Sequence, residues 1–158
     1  MRFEKATQAD RAEVLSLYAR CRRCPGCTWP EDYPNEATVD SDVAQGALYV
    51  LREDGRICAA MSAGFENEHD HFSMWSEACH PGEISRVAVH PDYQGRRLGS
   101  RLMKMTLASL HGHGYDAARL LVSPGNPAAR RLYERNGFAY RGFARCYGQI
   151  WLCMERKC

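Results

Sequence analysis

Between Val87 and Ser100 the chain reads Val-Ala-Val-His-Pro-Asp-Tyr-Gln-Gly-Arg-Arg-Leu-Gly-Ser. An apolar, strand-like run passes through a short turn, with glycines at 95 and 99, straight into a helical pattern. Such a junction leaves the first N–H groups of the helix unpaired at the positive end of its dipole, which suits a phosphate or pyrophosphate. The glycines let the backbone approach an anion closely, and Arg96 and Arg97 add charge. The segment is neither a P-loop, which needs a following Lys-Ser/Thr, nor a GxGxxG fingerprint. Downstream, Asn126 and Tyr133 are seven residues apart, which places them about 20° from each other around a helix. Plainer roles remain open for both: Asn126 is a good helix cap, and Tyr133 can pack in a core.

Cys21-x-x-Cys24-x-x-Cys27 has the spacing of half a metal site. Zinc usually takes four ligands from two such clusters, and the sequence has no second CxxC; His69, His71, His111 and His113 are the available partners. Free thiols are the expectation, with no metal.

The elements that must position these residues follow from periodicity and punctuation. Arg2–Lys5 reads as a strand, and Thr7-Gln-Ala-Asp10 as a capping box opening a helix to about Arg23, where Cys24-Pro-Gly breaks it. Cys27–Asn35 is a loop, and an acidic helix spans Asn35–Gln45. Ala47–Arg52 and Arg56–Ser62 are strands joined by the turn Glu53-Asp-Gly55. Residues 66–81 give no clear pattern. Glu83–Val89 is a strand and Leu98–His111 a helix in which Leu98, Leu102, Met103, Met105, Thr106, Ser109 and Leu110 occupy an arc of about 160°. Ala117–Val122 is a strand, and Asn126-Pro127 opens a helix that Gly137 closes. Phe138–Ala144 and Tyr147–Met154 are closing strands. The fold class is therefore α/β, with a mixed central sheet in β-α-α-β-β-β-α-β-α-β-β order, read as a single domain over residues 1–158.

At this point the sequence resembles the GNAT family of acetyl-CoA-dependent N-acetyltransferases. Gln94-Gly-Arg-Arg-Leu-Gly99 resembles the family's Q/R-x-x-G-x-G/A motif, following a Glu-Ile-x-Arg-Val-Ala-Val strand. Asn126-x-x-Ala129-x-x-x-Tyr133-x-x-x-Gly137-Phe138 is similar to its second motif, at the family's usual separation. Gly26-Cys-Thr-Trp and Trp151-Leu-Cys-Met resemble stretches of bacterial members. Arg97 stands where the family most often has glycine.

The resemblance implies roles. Backbone groups of Val87, Ala88 and Val89 would pair with the pantetheine arm, and Gln94, Gly95, Arg96, Arg97, Leu98, Gly99 and Ser100 would wrap the pyrophosphate. Asn126 and Ala129 would meet the pantetheine, and Tyr133 would protonate the departing thiolate. A backbone N–H near Val89 would stabilise the oxyanion. Glu83 is the candidate base: strand alternation puts it on the same face as Val87, roughly 13 Å away, acting through a water. A surface glutamate at a strand start is the plainer reading, and Ser85, the acids Glu31 and Asp32 of the Trp29–Tyr33 loop, and solvent stay open as the base. The resemblance also makes Cys27–Asn35 and residues 66–81 walls of the acceptor pocket, with Trp29, Tyr33 and Trp75 as lining aromatics. The implied activity moves an acetyl group to a primary amine, small molecule or protein, in a ternary complex. Three alternatives stay open: a longer acyl-CoA donor, a protein N-terminal amine as acceptor, and a non-catalytic CoA-sensing or zinc-bearing module.

Composition is compatible with this. The 158 residues are 45% hydrophobic and 25% charged, with a net charge of +2, as in an ordinary globular domain. No apolar run approaches the roughly 20 residues of a membrane span, and Met1–Ala6 lacks a signal-like apolar stretch. The expectation is a cytoplasmic protein without membrane or nucleic-acid partners, with homodimer formation left open. Charge is segregated: residues 28–83 hold twelve acids against two arginines, and residues 96–135 hold eight basic residues against two acids. That asymmetry suggests an anionic ligand on the C-terminal half and a cationic one near the other.

Overall fold

A computed structural model describes residues 1–65 and 68–158; Glu66 and Asn67, at the start of the unpatterned stretch, lie outside the described residues. The elements appear in the expected order. They are β1 (Arg2–Lys5), α1 (Arg11–Arg22), α2 (Glu36–Ala44), β2 (Leu48–Glu53), β3 (Arg56–Gly64), β4 (Pro81–Val89), α3 (Leu98–Gly112), β5 (Ala117–Val122), α4 (Pro127–Arg135), β6 (Ala139–Cys146) and β7 (Gln149–Lys157). The last strand runs to Lys157 rather than Met154, because β5 supplies partners along its whole length, from Leu152 opposite Val122 to Lys157 opposite Ala117.

Local signals set the boundaries. The Thr7 amide donates to the Asp10 carboxylate at 2.8 Å, closing the first capping box. Asn35 accepts from the Thr38 amide at 3.1 Å and starts α2. Asp54 and Gly55 both take positive φ, 49° and 82°, as a two-residue hairpin turn requires.

The seven strands form one sheet in the order β1-β2-β3-β4-β5-β7-β6. Each pairing is antiparallel except that of β4 with β5. One face packs on α3 and α4 through a cluster that includes Met61, Ile84, Leu102, Met103, Leu120 and Tyr133. The other packs on α1 and α2 through Val14, Leu17, Tyr18, Val39, Ala60 and Ala88. Among the described residues no helix is long and apolar enough to cross a membrane.

Two irregularities in β4 shape everything that follows. Ala60 faces Ala88 but Ser62 faces Ser85, so two residues, Arg86 and Val87, stand opposite one on β3. This is a β-bulge, with Arg86 at φ 53°. Furthermore, β4 pairs with β5 only over Pro81–Ala117, Gly82–Ala118 and Glu83–Arg119. Beyond Glu83 the two parallel strands separate.

Candidate active site

The bulge corrects one sequence expectation. Paired residues in an antiparallel ladder share a face, so Glu83, Ser85 and Ala88 lie with Gly64, Ser62 and Ala60 on the α1/α2 side. Val87 and Val89 instead pack against the α3/α4 cluster. Glu83 and Val87 are therefore not on one face: the extra residue flips the alternation between them. A buried ion pair accompanies the bulge. Arg86 reaches the Asp42 carboxylate on α2 with two bonds, at 2.7 and 2.9 Å, and donates to the Tyr33 hydroxyl at 2.8 Å. Burial disfavours the charged guanidinium, but the Asp42 carboxylate outweighs it and holds Arg86 ionised.

At its C-terminal end β4 presents backbone to the gap. The His90 amide donates to Cys58 O at 2.9 Å, and alternate residues of a strand point their backbone groups in opposite directions. Val89 N–H and C=O thus face away from β3, toward the space that β5 has left. Cys21 Sγ and Gln94 Nε2 approach the Val89 carbonyl at 3.3 and 3.4 Å.

The turn after β4 has the form of an anion cradle. Gly95 has φ 78°, and a side-chain carbon there would meet nothing within 4 Å. Arg97 adopts the left-handed conformation that glycine favours, at φ 58°, and gives α3 no side-chain cap. The first backbone bond back to the cap runs from Arg101 N–H to Arg97 O at 3.1 Å, so the amides of Leu98, Gly99 and Ser100 precede the helical ladder. Gly99 has a packing reason as well: a Cβ there would lie 3.2 Å from Leu132 on α4 and 3.5 Å from Val89. Arg96 departs from expectation. Its guanidinium is bound at 2.7 and 2.8 Å by Glu53 and lies over the Tyr93 ring, so its charge is spent on the β2–β3 turn.

Asn126 accepts from the Ala129 amide at 3.2 Å and caps α4, and Gly26 of the cysteine-bearing loop comes against its side chain. Tyr133 is 7% exposed, packed edge-on to Phe138 at 6.1 Å. Burial pushes its phenol up, so it stays protonated. The structure thus brings Gln94 and Gly99 against Val89, with Asn126 at the start of α4 and Tyr133 in the cluster on the α3/α4 side, and Glu83 on the opposite face of the sheet.

The three aromatics divide between two places. Trp29 packs edge-on to Tyr18 at 5.5 Å, and Tyr33 holds Arg86. Trp75 donates to His69 O at 2.9 Å and lies under the Arg119 guanidinium, beside Glu83 at a small cavity. Sequence reasoning missed His69, which bonds Glu83 through Nδ1 at 2.9 Å and the Tyr147 hydroxyl through Nε2 at 2.9 Å. Its partners lie 14 and 78 residues away, and no local signal joins them.

All eight cysteines carry free thiols. Burial first, then Cys24 and Cys27, push the Cys21 thiol up to about 12, which opposes the thiolate form that zinc needs. Among the described residues no group of three or more His, Cys, Asp or Glu is arranged to hold a metal ion.

Comparison with known proteins adds to this geometry. The sequence model described as "Acetyltransferase (GNAT) family" matches residues 11–138. A mycothiol acetyltransferase of Mycobacteroides abscessus is 43% identical over 68 residues, 43% of this chain but 23% of that enzyme. The chain therefore spans less than a quarter of that curated relative's length. Among solved structures, a GNAT-family acetyltransferase of Streptococcus agalactiae superposes with a TM-score of 0.83 at 18% identity, covering 99% of this chain and 95% of its own. The PaiA N-acetyltransferase of Thermoplasma acidophilum, in complex with coenzyme A, gives 0.77 at 14% identity over 99% and 98%.

Proposed function

Because the chain belongs to the acetyltransferase (GNAT) family, we propose that it transfers an acetyl group from acetyl-CoA to a primary amine by direct attack in a ternary complex. The observation that carries this reading is the separation of β4 from β5 after Glu83–Arg119, with the Val89 backbone turned into the gap and an uncapped helix N-terminus beside it. Acetyl-CoA supplies an activated thioester carbonyl and a thiolate leaving group.

Each chemical demand has a residue. The amides of Gly95 and Leu98–Ser100 bind the pyrophosphate, where the helix dipole favours negative charge. Val87 and Val89 hold the pantetheine arm as an added strand, with Asn126 and Ala129 against it. Val89 N–H donates to the oxyanion. Tyr133, kept protonated by burial, gives its proton to the thiolate. Glu83 takes the proton of the attacking amine. Trp75 walls the acceptor side beside Glu83, and Trp29 and Tyr33 line the approach near Arg86. Because the acetyl-binding parts do not depend on the acceptor, its class is found by assay. Thiol release from acetyl-CoA is followed with a polyamine, an amino-sugar amine and a peptide N-terminus. Amine-dependent release supports the reading; no release with any amine, despite acetyl-CoA binding, would point to a non-catalytic CoA-binding module.

A further inference from the structure

Glu83 does not stand alone. His69 is buried, 9% exposed, and its Nδ1 lies 2.9 and 3.0 Å from the two carboxylate oxygens of Glu83. Its Nε2 lies 2.9 Å from the Tyr147 hydroxyl, which in turn donates to Glu68. Tyr147 and Gly148 form the β6–β7 turn, both at positive φ, 53° and 70°. That turn folds the Tyr147 ring edge-on to the imidazole at 5.9 Å. Phe72 flanks the imidazole ring at 5.4 Å, and the Trp75 indole holds the His69 carbonyl.

Counting protons decides the charge of this chain of four groups. Three hydrogen bonds, from Glu83 to His69, His69 to Tyr147 and Tyr147 to Glu68, need three protons. Two carboxylates bring none and the phenol brings one. A neutral imidazole brings one more, which leaves two lone pairs facing across one of the bonds. An imidazolium completes the set. The alternative holder, Glu68, is intrinsically the weaker base by about two pH units. The extra proton therefore belongs on His69, between two carboxylates.

We propose that His69 is the positioning residue of this site, an imidazolium clamped between Glu83 and the Tyr147–Glu68 pair whose deprotonation frees Glu83 to act as base. While His69 is charged, it aims the Glu83 carboxylate and holds it in an ion pair at 2.9 Å. Once His69 loses its Nε2 proton, Nδ1–H still holds one Glu83 oxygen. The other oxygen accepts a proton from the ammonium form of the acceptor: an N–H bond of the ammonium breaks, a carboxyl O–H forms, and the nitrogen pair so freed becomes the nucleophile. Other groups act on the cluster. Asp70 and Arg119, an ion pair at 3.4 Å, meet His69 at the small cavity, and Arg119 is bound more closely by Glu155, at 2.7 Å. Glu68 and Glu83 push the Cys146 thiol up after burial, so that thiol stays neutral. Burial, then Cys146 and Glu83, push the Cys153 thiol up to about 11. Burial and the Glu68 carboxylate likewise keep the Tyr147 phenol protonated.

The role in catalysis rests on the acetyl-transfer reading, whereas the protonation state does not, and the test separates them. The full chain is labelled with 15N-histidine, and long-range proton–nitrogen correlations are followed with pH, His69 being assigned by its loss in His69→Gln. Both ring nitrogens of His69 are expected to be protonated at pH 7, with a midpoint above those of the other five histidines. Glu68→Gln and Tyr147→Phe should each weaken proton binding at least tenfold, and in the same variants the rising limb of kcat/KM should move with the His69 midpoint. A bare ring nitrogen at pH 7, or a midpoint unmoved in both variants, overturns the clamp. A kcat/KM limb that stays fixed while the midpoint moves overturns its role as the release of Glu83. Absence of turnover with every amine, with His69 still doubly protonated, counts against the acetyl-transfer reading and leaves the clamp standing.

Discussion

Tyr133 has given up nearly all its contact with water for apolar neighbours, and that is the condition a proton donor to a thiolate requires. Its raised pKa keeps the proton on the oxygen at neutral pH, and in the proposed reaction a departing thiolate would bring the charge that draws it off. Tyr133→Phe keeps the ring and its packing on Phe138, so acetyl-CoA affinity should be unchanged while kcat falls by about 10- to 10⁴-fold. Steady-state kinetics beside a binding titration checks this, and a loss confined to KM would make Tyr133 a packing residue. Spacing alone put Asn126 and Tyr133 on one face of a helix, because helical geometry is local. Nothing local records that His69 meets Glu83, or that Arg96 turns to Glu53 instead of an anion. Those choices depend on which distant side chain the fold brings within 3 Å.

At the scale of elements, periodicity and turn chemistry were enough to order the strands and helices, although the β6–β7 turn falls at Tyr147 and Gly148, inside the span expected of the last strand. The bulge in β4 was not legible. It comes with a tertiary contact: Arg86, in the left-handed conformation, reaches Asp42 on α2. Assuming strict alternation therefore put Glu83 on the wrong face. The ion pair that accompanies the bulge is well buried, with side chains 17% and 8% exposed. Breaking one partner of such a pair leaves a desolvated charge and costs roughly 3–5 kcal/mol. Asp42→Asn should lower stability by about that amount in urea denaturation. Because Arg86 adjoins Val87, acetyl-CoA affinity should fall along with it. A variant of unchanged stability would show that the pair does not hold the bulge.

Over the whole molecule, the charge asymmetry of the sequence is softened by folding. Among the described residues, the acids Glu36, Asp40, Asp42, Glu53, Asp70 and Glu83 of the stretch 28–83 are engaged by Arg11, Arg86, Arg96, Arg119 or His69. Long-range attraction of a cationic acceptor rests on those left unneutralised, such as Glu31 and Asp32, both exposed. Cationic amines should therefore outperform neutral ones at low salt by a modest factor that shrinks as ionic strength rises. Equal rates at every salt concentration would remove charge from the choice of acceptor. The anion site proposed at the start of α3 is a different matter, because its donors would be backbone amides fixed by the fold.

Titration calorimetry of acetyl-CoA against the wild-type chain and Arg97→Asp tests the central claim most directly. A carboxylate at position 97 sits beside the N-terminus of α3, where negative charge stabilises a helix by about 0.3–1 kcal/mol. Aspartate also tolerates the left-handed backbone that Arg97 adopts at φ 58°. Thermal stability should therefore hold or rise, while the same carboxylate repels the pyrophosphate. Saturable acetyl-CoA binding is expected of the wild-type chain, with at least a tenfold loss of affinity in a folded Arg97→Asp variant. No binding to the wild-type chain at millimolar acetyl-CoA, or equal binding by both, would contradict it.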